Sequence, residues 1–263
     1  MEKANTIKKW HVKHQNKPHK LVKYARYLSG FAKKCLEKTS CDGYVLGVSG
    51  GIDSALALAI LANTPGIRVL GVFIDIESSQ MDKDDAQSLS KIYNFEYRYI
   101  NLTDEYKMLV RKLGLENNKM AKANLKVRLR SITLYALANL NNLLTVGTTN
   151  ADERLVGYYT KFGDNACDVQ LLCYLTKTNI RYLADYLKVP SDIITKHPSA
   201  GLFDGQTDEQ EMEITYDQID HYLSYAVIDQ IQDSKITTRY VANKHKLTAP
   251  IRPKKFMNLR NTK

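Results

Sequence analysis

Three observations predict a doubly wound α/β protein, with a mainly parallel sheet and helices on both faces. Short apolar runs alternate along the chain with stretches of helical periodicity, as a parallel sheet with crossover helices requires. The runs are short and apolar enough for strands covered on both faces. The most informative loops, 47–54, 75–81 and 147–153, each follow such a run, and open α/β sheets bind ligands at the carboxyl ends of their strands.

The elements follow in order. Leu21, Val22, Ala25, Leu28, Phe31, Ala32, Cys35 and Leu36 are spaced as one face of a helix over 19–39. Tyr44–Val48 is a short buried strand, broken at Ser49-Gly50-Gly51 and continued by an apolar helix, Ala55–Ala62, that stops at Asn63-Thr64-Pro65-Gly66. Val69–Ile74 is a second strand. The next helix, about Asp82–Tyr93, carries Asp82, Asp84 and Asp85 in its first turn, where carboxylates favour the helix dipole. Phe95–Ile100 is a third strand, 119–140 a further helix and Leu143–Val146 a fourth strand. After Leu171-Leu172 come a helix over Thr178–Leu187 and a polar loop, about 190–213. Loops of that length are binding loops, lids or disordered. With no internal repeat, the expectation is one domain over 1–263, with a basic N-terminal arm (about 1–18), a mobile loop (about 195–213) and a basic C-terminal tail (about 235–263).

With 44% hydrophobic and 25% charged residues, the 263-residue chain has material for a real core. No stretch approaches the roughly 20 apolar residues of a membrane span, and the lysine-rich start lacks the apolar segment of a signal peptide. Cys35, Cys41, Cys167 and Cys173 form no CxxC pair, so free thiols in a reducing cytoplasm are the default. The net charge of +10 is uneven: residues 1–34 and 235–263 each carry +9, which leaves −8 for the middle. Basic ends of this kind are solvated tails or bind polyanions.

One run carries chemistry. Ser49-Gly50-Gly51-Ile52-Asp53-Ser54 joins a strand to a helix, and its glycines permit a concave nest of N–H groups for an anion. The helix N-terminus adds partial positive charge, and Ser49 and Ser54 offer hydroxyls to phosphate oxygens. Asp53 would repel bare phosphate, but suits a magnesium ion that bridges carboxylate and pyrophosphate. The bland alternative is a glycine turn with an Asp at the helix start. The run is neither GxxxxGK[ST] nor GxGxxG.

SGGxDS at a strand-to-helix junction resembles the pyrophosphate loop of the ATP-pyrophosphatase family (adenine nucleotide alpha-hydrolase-like, with a Rossmann-like fold), whose members cleave ATP between the α- and β-phosphates to form adenylates. Within it, Gly147-Thr148-Thr149-Asn150-Ala151-Asp152-Glu153 and Gly157-Tyr158-Tyr159-Thr160-Lys161-Phe162-Gly163-Asp164 look like GTxxxxE and GxxTKxGD of ammonia-dependent NAD synthetases. Leu175-Thr176-Lys177, the Gln206–Glu211 run, Ile214-Thr215-Tyr216-Asp217, Asn124 with Arg128 and Arg130, and Arg239-Tyr240 with His245-Lys246 and Pro250 match further elements in family order.

The resemblance implies a C–N ligase that turns ATP, deamido-NAD and ammonia into AMP, pyrophosphate and NAD through a nicotinyl adenylate. It implies Mg²⁺ on Asp53 and Glu153, and an ATP site made by Gly47, Val48, Ser49, Gly50, Gly51, Ile52, Asp53, Ser54, Thr148, Lys177 and Ser199. Asp53, Glu153 and Lys177 would be catalytic, and Arg128, Lys161, Asp168, His245 and Lys246 would hold deamido-NAD. It also implies a homodimer; the apolar 123–140 helix suits its interface or the core equally. The short N-terminal arm leaves no room for an amidotransferase domain, so ammonia arrives free or from a separate protein. Departures are the Phe73-Ile74-Asp75-Ile76-Glu77 run, where relatives often have an arginine, Glu213 in place of a common glycine, and Met120 where an aromatic is frequent. Without the resemblance, Lys177 is an ordinary solvated lysine, Glu153 a helix-start carboxylate, His245-Lys246 a basic patch, and Asp208 and Glu209 loop-solvating acids. Rival readings are a tRNA-adenylating enzyme, which the basic ends favour, with Cys167 and Cys173 as a thiouridylase pair, and a non-catalytic nucleotide-binding regulator.

Overall fold

The computed structural model describes residues 18–198, 207–225, 230–248, 250 and 252–253. Helix α1 (Pro18–Thr39) is followed by β1 (Gly43–Gly47), α2 (Ile52–Ala62), β2 (Arg68–Asp75), α3 (Gln80–Ile92), β3 (Glu96–Asn101), α4 (Thr103–Lys112) and α5 (Lys119–Asn141). Then come β4 (Leu143–Gly147), α6 (Ala151–Val156), β5 (Val169–Gln170), α7 (Lys177–Tyr186), α8 (Ser191–Thr195), α9 (Asp208–Met212), α10 (Tyr216–Tyr225), α11 (Gln230–Asn243) and a 3₁₀ turn, Lys244–Lys246.

The five strands pair in parallel in the order β3-β2-β1-β4-β5. The expected doubly wound α/β architecture is therefore the observed one. Strand period explains the two faces: Tyr44, Leu46, Val69 and Phe73 pack with α1, α2 and α7, whereas Val45, Leu70, Val72 and Ile74 pack against α4 and α5. A third apolar cluster joins α6, α9, α10 and α11 through Leu155, Met212, Tyr216, Ile219 and Ile236. The chain winds outward from β1 through β2 to β3, then returns to β1's other side at β4. That reversal opens a crevice beyond the carboxyl ends of β1 and β4, whose residues Leu46 and Val146 are in register.

Several expectations need correction. The α4 helix was not foreseen; its TDEYKMLVRK sequence buries only Tyr106 and Val110, too thin a stripe to stand out. The two-residue strand β5 exists only by pairing with the end of β4. Helix α3 begins two residues before Asp82, because Ser79 caps it by accepting the Asp82 N–H. The 190–213 stretch is not structureless, since α8 and α9 lie in it; residues 199–206 fall outside the described residues, as do the arm through 17 and the tail beyond 253. All four cysteines are free thiols. Among the described residues no helix is long and apolar enough to cross a membrane.

Candidate active site

The loop after β1 is shaped by its own hydroxyls. Ser54 Oγ accepts the Ser49 N–H at 3.1 Å and donates to the Gly51 carbonyl at 2.9 Å, and the two serine oxygens lie 3.1 Å apart. Both side chains therefore hold the turn closed around the first N–H groups of α2, an anion-attracting helix start. Gly50 has φ +80°, and a Cβ there would lie 2.6 Å from the Asp82 carbonyl oxygen of α3. Gly50→Ala is expected to lose about 2–3 kcal/mol of stability from strain and this clash and to weaken ATP binding, as urea denaturation and ATP kinetics would show.

Asp53 stands in the first turn of α2 and bridges to the β4 side. Its Oδ1 accepts the Asn150 amide at 2.9 Å, and its Oδ2 pairs with Lys177 Nζ at 2.5 Å. Asn150 caps α6 reciprocally: its Oδ1 accepts the Glu153 N–H, and Glu153 Oε2 accepts the Asn150 N–H. Glu153 thus has the helix-start role, and its carboxyl is also aimed at the cluster. Burial and the nearby Asp53 charge push its pKa well above the usual carboxylate range, against the opposing pull of Lys177.

Lys177, the first residue of α7, is not solvated: it is 2% exposed. Burial favours the neutral amine, but Asp53 and Glu153 outweigh it and raise the ammonium pKa. The Tyr216 ring lies 4.7 Å from Nζ and adds a cation–π contact. The Tyr216 hydroxyl donates to Asp208 at 3.0 Å, and the Tyr158 hydroxyl reaches both Asp208 (3.1 Å) and Glu211 (2.7 Å). Asp208, 5% exposed, is therefore a buried anchor of α9, not a loop-solvating acid. Beneath Lys177, burial and the Asp220 carboxyl push the Asp152 pKa well above normal.

Across the cleft stands a cationic wall. Arg128 of α5 donates to the Lys161 carbonyl at 3.1 Å, and Lys161 Nζ donates to the His245 carbonyl at 2.7 Å. Lys246 Nζ donates to the Gly157 and Tyr159 carbonyls at 2.6 and 2.8 Å, and burial lowers its pKa. Arg130 and Arg239, not assigned roles from the sequence, also line this space. Near the 73–77 departure, Arg130 Nε donates to the Ile74 carbonyl at 3.4 Å. Asp75 there is satisfied by Ser78 N–H, Tyr99 hydroxyl and Lys83, which together outweigh burial and hold its pKa down.

One cleft of about 830 Å³ joins these parts. It takes in the 47–54 loop, Thr148, Glu153, Lys177, Arg128, Lys161, His245 and Lys246, while Gly50 serves from behind. Asp168 does not line it: its Oδ2 accepts the Thr145 N–H and hydroxyl at 2.8 and 2.6 Å, behind β4. Ser199 lies outside the described residues. Asn150 was the residue missed, although its Asn-x-x-Glu spacing to Glu153 is a readable capping-box signal. Glu213 occupies the left-handed position that ends α9, at φ 56°, which explains why glycine suits that place.

The family model of NAD synthase matches residues 24–250. The chain belongs to the NAD synthase family. It is 38% identical over 245 residues to the NH₃-dependent NAD⁺ synthetase of Mycoplasma genitalium, covering 92% of this chain and 99% of that protein. Among solved structures, the NMN synthetase of Francisella tularensis aligns at TM-score 0.85 with 33% identity, covering 89% of this chain and 98% of that one. The NH₃-dependent NAD synthetase of Campylobacter jejuni aligns at 0.74 with 27% identity, over the same shares. NAD synthase membership makes the chain a ligase that forms an amide C–N bond, with ATP as co-substrate. Nucleophilic thiol chemistry has no support in the site: burial pushes the Cys167 thiol up to about 11.

Proposed function

We propose that this cleft amidates deamido-NAD with free ammonia at the cost of ATP, through a nicotinyl adenylate. The observation that carries the reading is the convergence of Asp53, Glu153 and Lys177 beyond the ends of β1 and β4, opposite the wall of Arg128, Lys161 and Lys246. The nest of the 49–54 loop suits the triphosphate, Lys177 and Ser199 its β- and γ-oxygens, and Thr148 the nucleotide alongside. Arg128, Lys161, His245 and Lys246 suit the dinucleotide's pyrophosphate. Asp168 is retained for the dinucleotide only as a residue reached from outside this cleft.

Asp53 and Glu153 are hard oxygen donors on neighbouring strand ends, and the Asp53 charge that raises the Glu153 pKa leaves a place for a cation such as Mg²⁺. Among the described residues no group of three or more His, Cys, Asp or Glu is placed to hold a metal ion, so Asp53 and Glu153 would hold it together with the substrate. Held by Asp53 and Glu153, Mg²⁺ would supply positive charge to offset the negative charge of the phosphates. The protein orients the nicotinate carboxylate for in-line attack on the α-phosphorus; Lys177 supplies positive charge to the leaving group. Ammonia then attacks the anhydride carbonyl and releases AMP. The route needs no side-chain nucleophile, because the nicotinate carboxylate and then ammonia make both attacks.

Assaying the purified protein with ATP, Mg²⁺, deamido-NAD and ammonium tests the reading. NAD and AMP are expected together, both dependent on ammonium. Pyrophosphate exchange stimulated by tRNA without NAD would move the substrate to RNA. Asp53→Ala is expected to lower amide formation by about 100-fold or more; near-normal rates at saturating Mg²⁺ would remove the metal role. The higher TM-score to the Francisella protein favours a second reading, in which nicotinate mononucleotide is the acid substrate. Comparing kcat/KM for the two acids decides between them.

The chain is further read as one cytoplasmic domain and a homodimer. Ile132 and Leu140 are 62% and 76% exposed and, with exposed Ala136 between them, form an apolar stripe on α5, whereas Leu129 and Leu137 face the core. A monomeric mass by light scattering at micromolar concentration would overturn the dimer.

A further inference from the structure

Two buried acids that the reaction does not use lie beneath Lys177. Asp152, in the first turn of α6, is fully buried, and Asp220, in α10, is 8% exposed. Asp152 Oδ2 accepts the Lys177 N–H at 2.6 Å, and Asp220 Oδ2 accepts the Thr178 N–H at 2.9 Å. The first two donors of α7 are thus satisfied from two other helices. The N-cap residue of α7, Thr176, makes no side-chain cap bond, although threonine is a favoured capping residue. The Oδ1 of each acid meets no backbone or side-chain N–H among the described residues, and the two carboxyls lie against each other.

Burying two carboxyls side by side, away from water, is costly, and far more than capping one helix requires. This expense falls on the helix whose first residue carries the ammonium paired with Asp53. A lysine head on a long stem is aimed only as well as its backbone is anchored. The two acids also tie that anchor to both sides of the site. Asp152 adjoins Glu153 in α6, and Asp220 shares α10 with Tyr216, whose ring covers Lys177 Nζ.

We infer that Asp152 and Asp220 are positioning residues, which lock the first turn of α7 between α6 and α10 and so set the Lys177 ammonium opposite Asp53. The inference rests on the reading of Lys177 as the residue that meets ATP phosphate. Misplacing a group by an ångström costs on the order of 100-fold in rate. Losing one of two anchors is expected to cost roughly 10-fold.

The test is steady-state kinetics of the full chain with Asp220→Ala and Asp220→Asn, varying ATP and deamido-NAD in turn. Asp220→Ala is expected to lower kcat/KM for ATP roughly 10-fold, with the KM for deamido-NAD within about 2-fold of wild type. Asp220→Asn is expected to recover most of that loss, because its amide oxygen still accepts the Thr178 N–H. Should Asp220→Ala not fold, Asp152→Ala and Asp152→Asn give the same comparison at the Lys177 N–H. A folded alanine variant with unaltered ATP kinetics, or an asparagine variant as impaired as alanine, overturns the inference. Lys177→Met separates the two levels. Normal activity in it removes the reading of Lys177, whereas its failure beside an unaffected Asp220→Ala removes the positioning role alone.

Discussion

Lys177→Met is expected to lower kcat/KM for ATP by about 1,000-fold, the scale of removing one preorganised charge from a water-excluded site. Methionine nearly preserves the side chain's volume, so the loss measures charge. Stability should fall too, because Lys177 is 2% exposed and its partner Asp53 keeps 18% of its side-chain surface. Breaking one half of a buried pair costs about 3–5 kcal/mol. The pH dependence follows from the direction of the shifts. Burial and Asp53 already raise Glu153 despite Lys177; without the ammonium, Glu153 rises further. A carboxyl whose folded pKa exceeds its unfolded value makes the folded state the better proton binder. Stability is then retained at low pH and lost as pH rises through the folded pKa. The variant's Tm should therefore drop, relative to wild type, as pH rises above the ordinary carboxylate range. Mg²⁺ should recover part of the difference by supplying the missing charge. Thermal melts with and without Mg²⁺, beside ATP kinetics, check both parts. A Tm difference that does not change with pH would mean that the Glu153 carboxyl does not depend on Lys177.

The sheet was legible because its strands answer to a short-range rule. Tyr44, Val45 and Leu46, or Leu70, Val72 and Ile74, are apolar because both faces of a central parallel strand are covered. The position of the cleft was legible for the same reason, since ligand loops follow those strands. Elements that depend on a partner were not. Val169-Gln170 is a strand only because β4 lies beside it, and α4 shows the sequence only two buried residues.

Burial of charge was the larger gap. Nothing in the spacing of Lys177, Asp152, Asp208 or Asp220 separates a solvated charge from one enclosed by three helices, because the enclosure is made by residues far away in sequence. Tyr216, 39 residues from Lys177, supplies one wall, and Asp53, 124 residues away, supplies the counter-ion. Family motifs marked Lys177 where local reasoning had it solvated. The motif reading of Asp168 carried no such warning that its Oδ2 is engaged by the Thr145 N–H and hydroxyl of β4.

Asp208→Ala is expected to uncouple ATP consumption from amide formation. Asp208 is the buried acceptor that draws the hydroxyls of Tyr158 and Tyr216 together and fastens α9 over the Glu153–Lys177 cluster. Removing it leaves the Tyr216 hydroxyl with Glu153 Oε1 at 3.5 Å, a weak contact. Tyr158 keeps its 2.7 Å bond to Glu211 on the same helix. The cost, about 1–3 kcal/mol for an unsatisfied buried group, is small enough for the chain to remain folded. It is large enough to shift α9 toward open arrangements. An open cleft admits water to the nicotinyl adenylate, and water far outnumbers ammonia. AMP should then exceed NAD by about 2-fold or more at limiting ammonium, whereas the wild-type ratio stays near unity. Quantifying both products in one reaction gives the ratio directly. Equal AMP and NAD from the variant would mean that α9 is not what excludes water. Asp208→Asn sharpens the result: its amide oxygen accepts one tyrosine hydroxyl but not both, so its ratio should fall between the two.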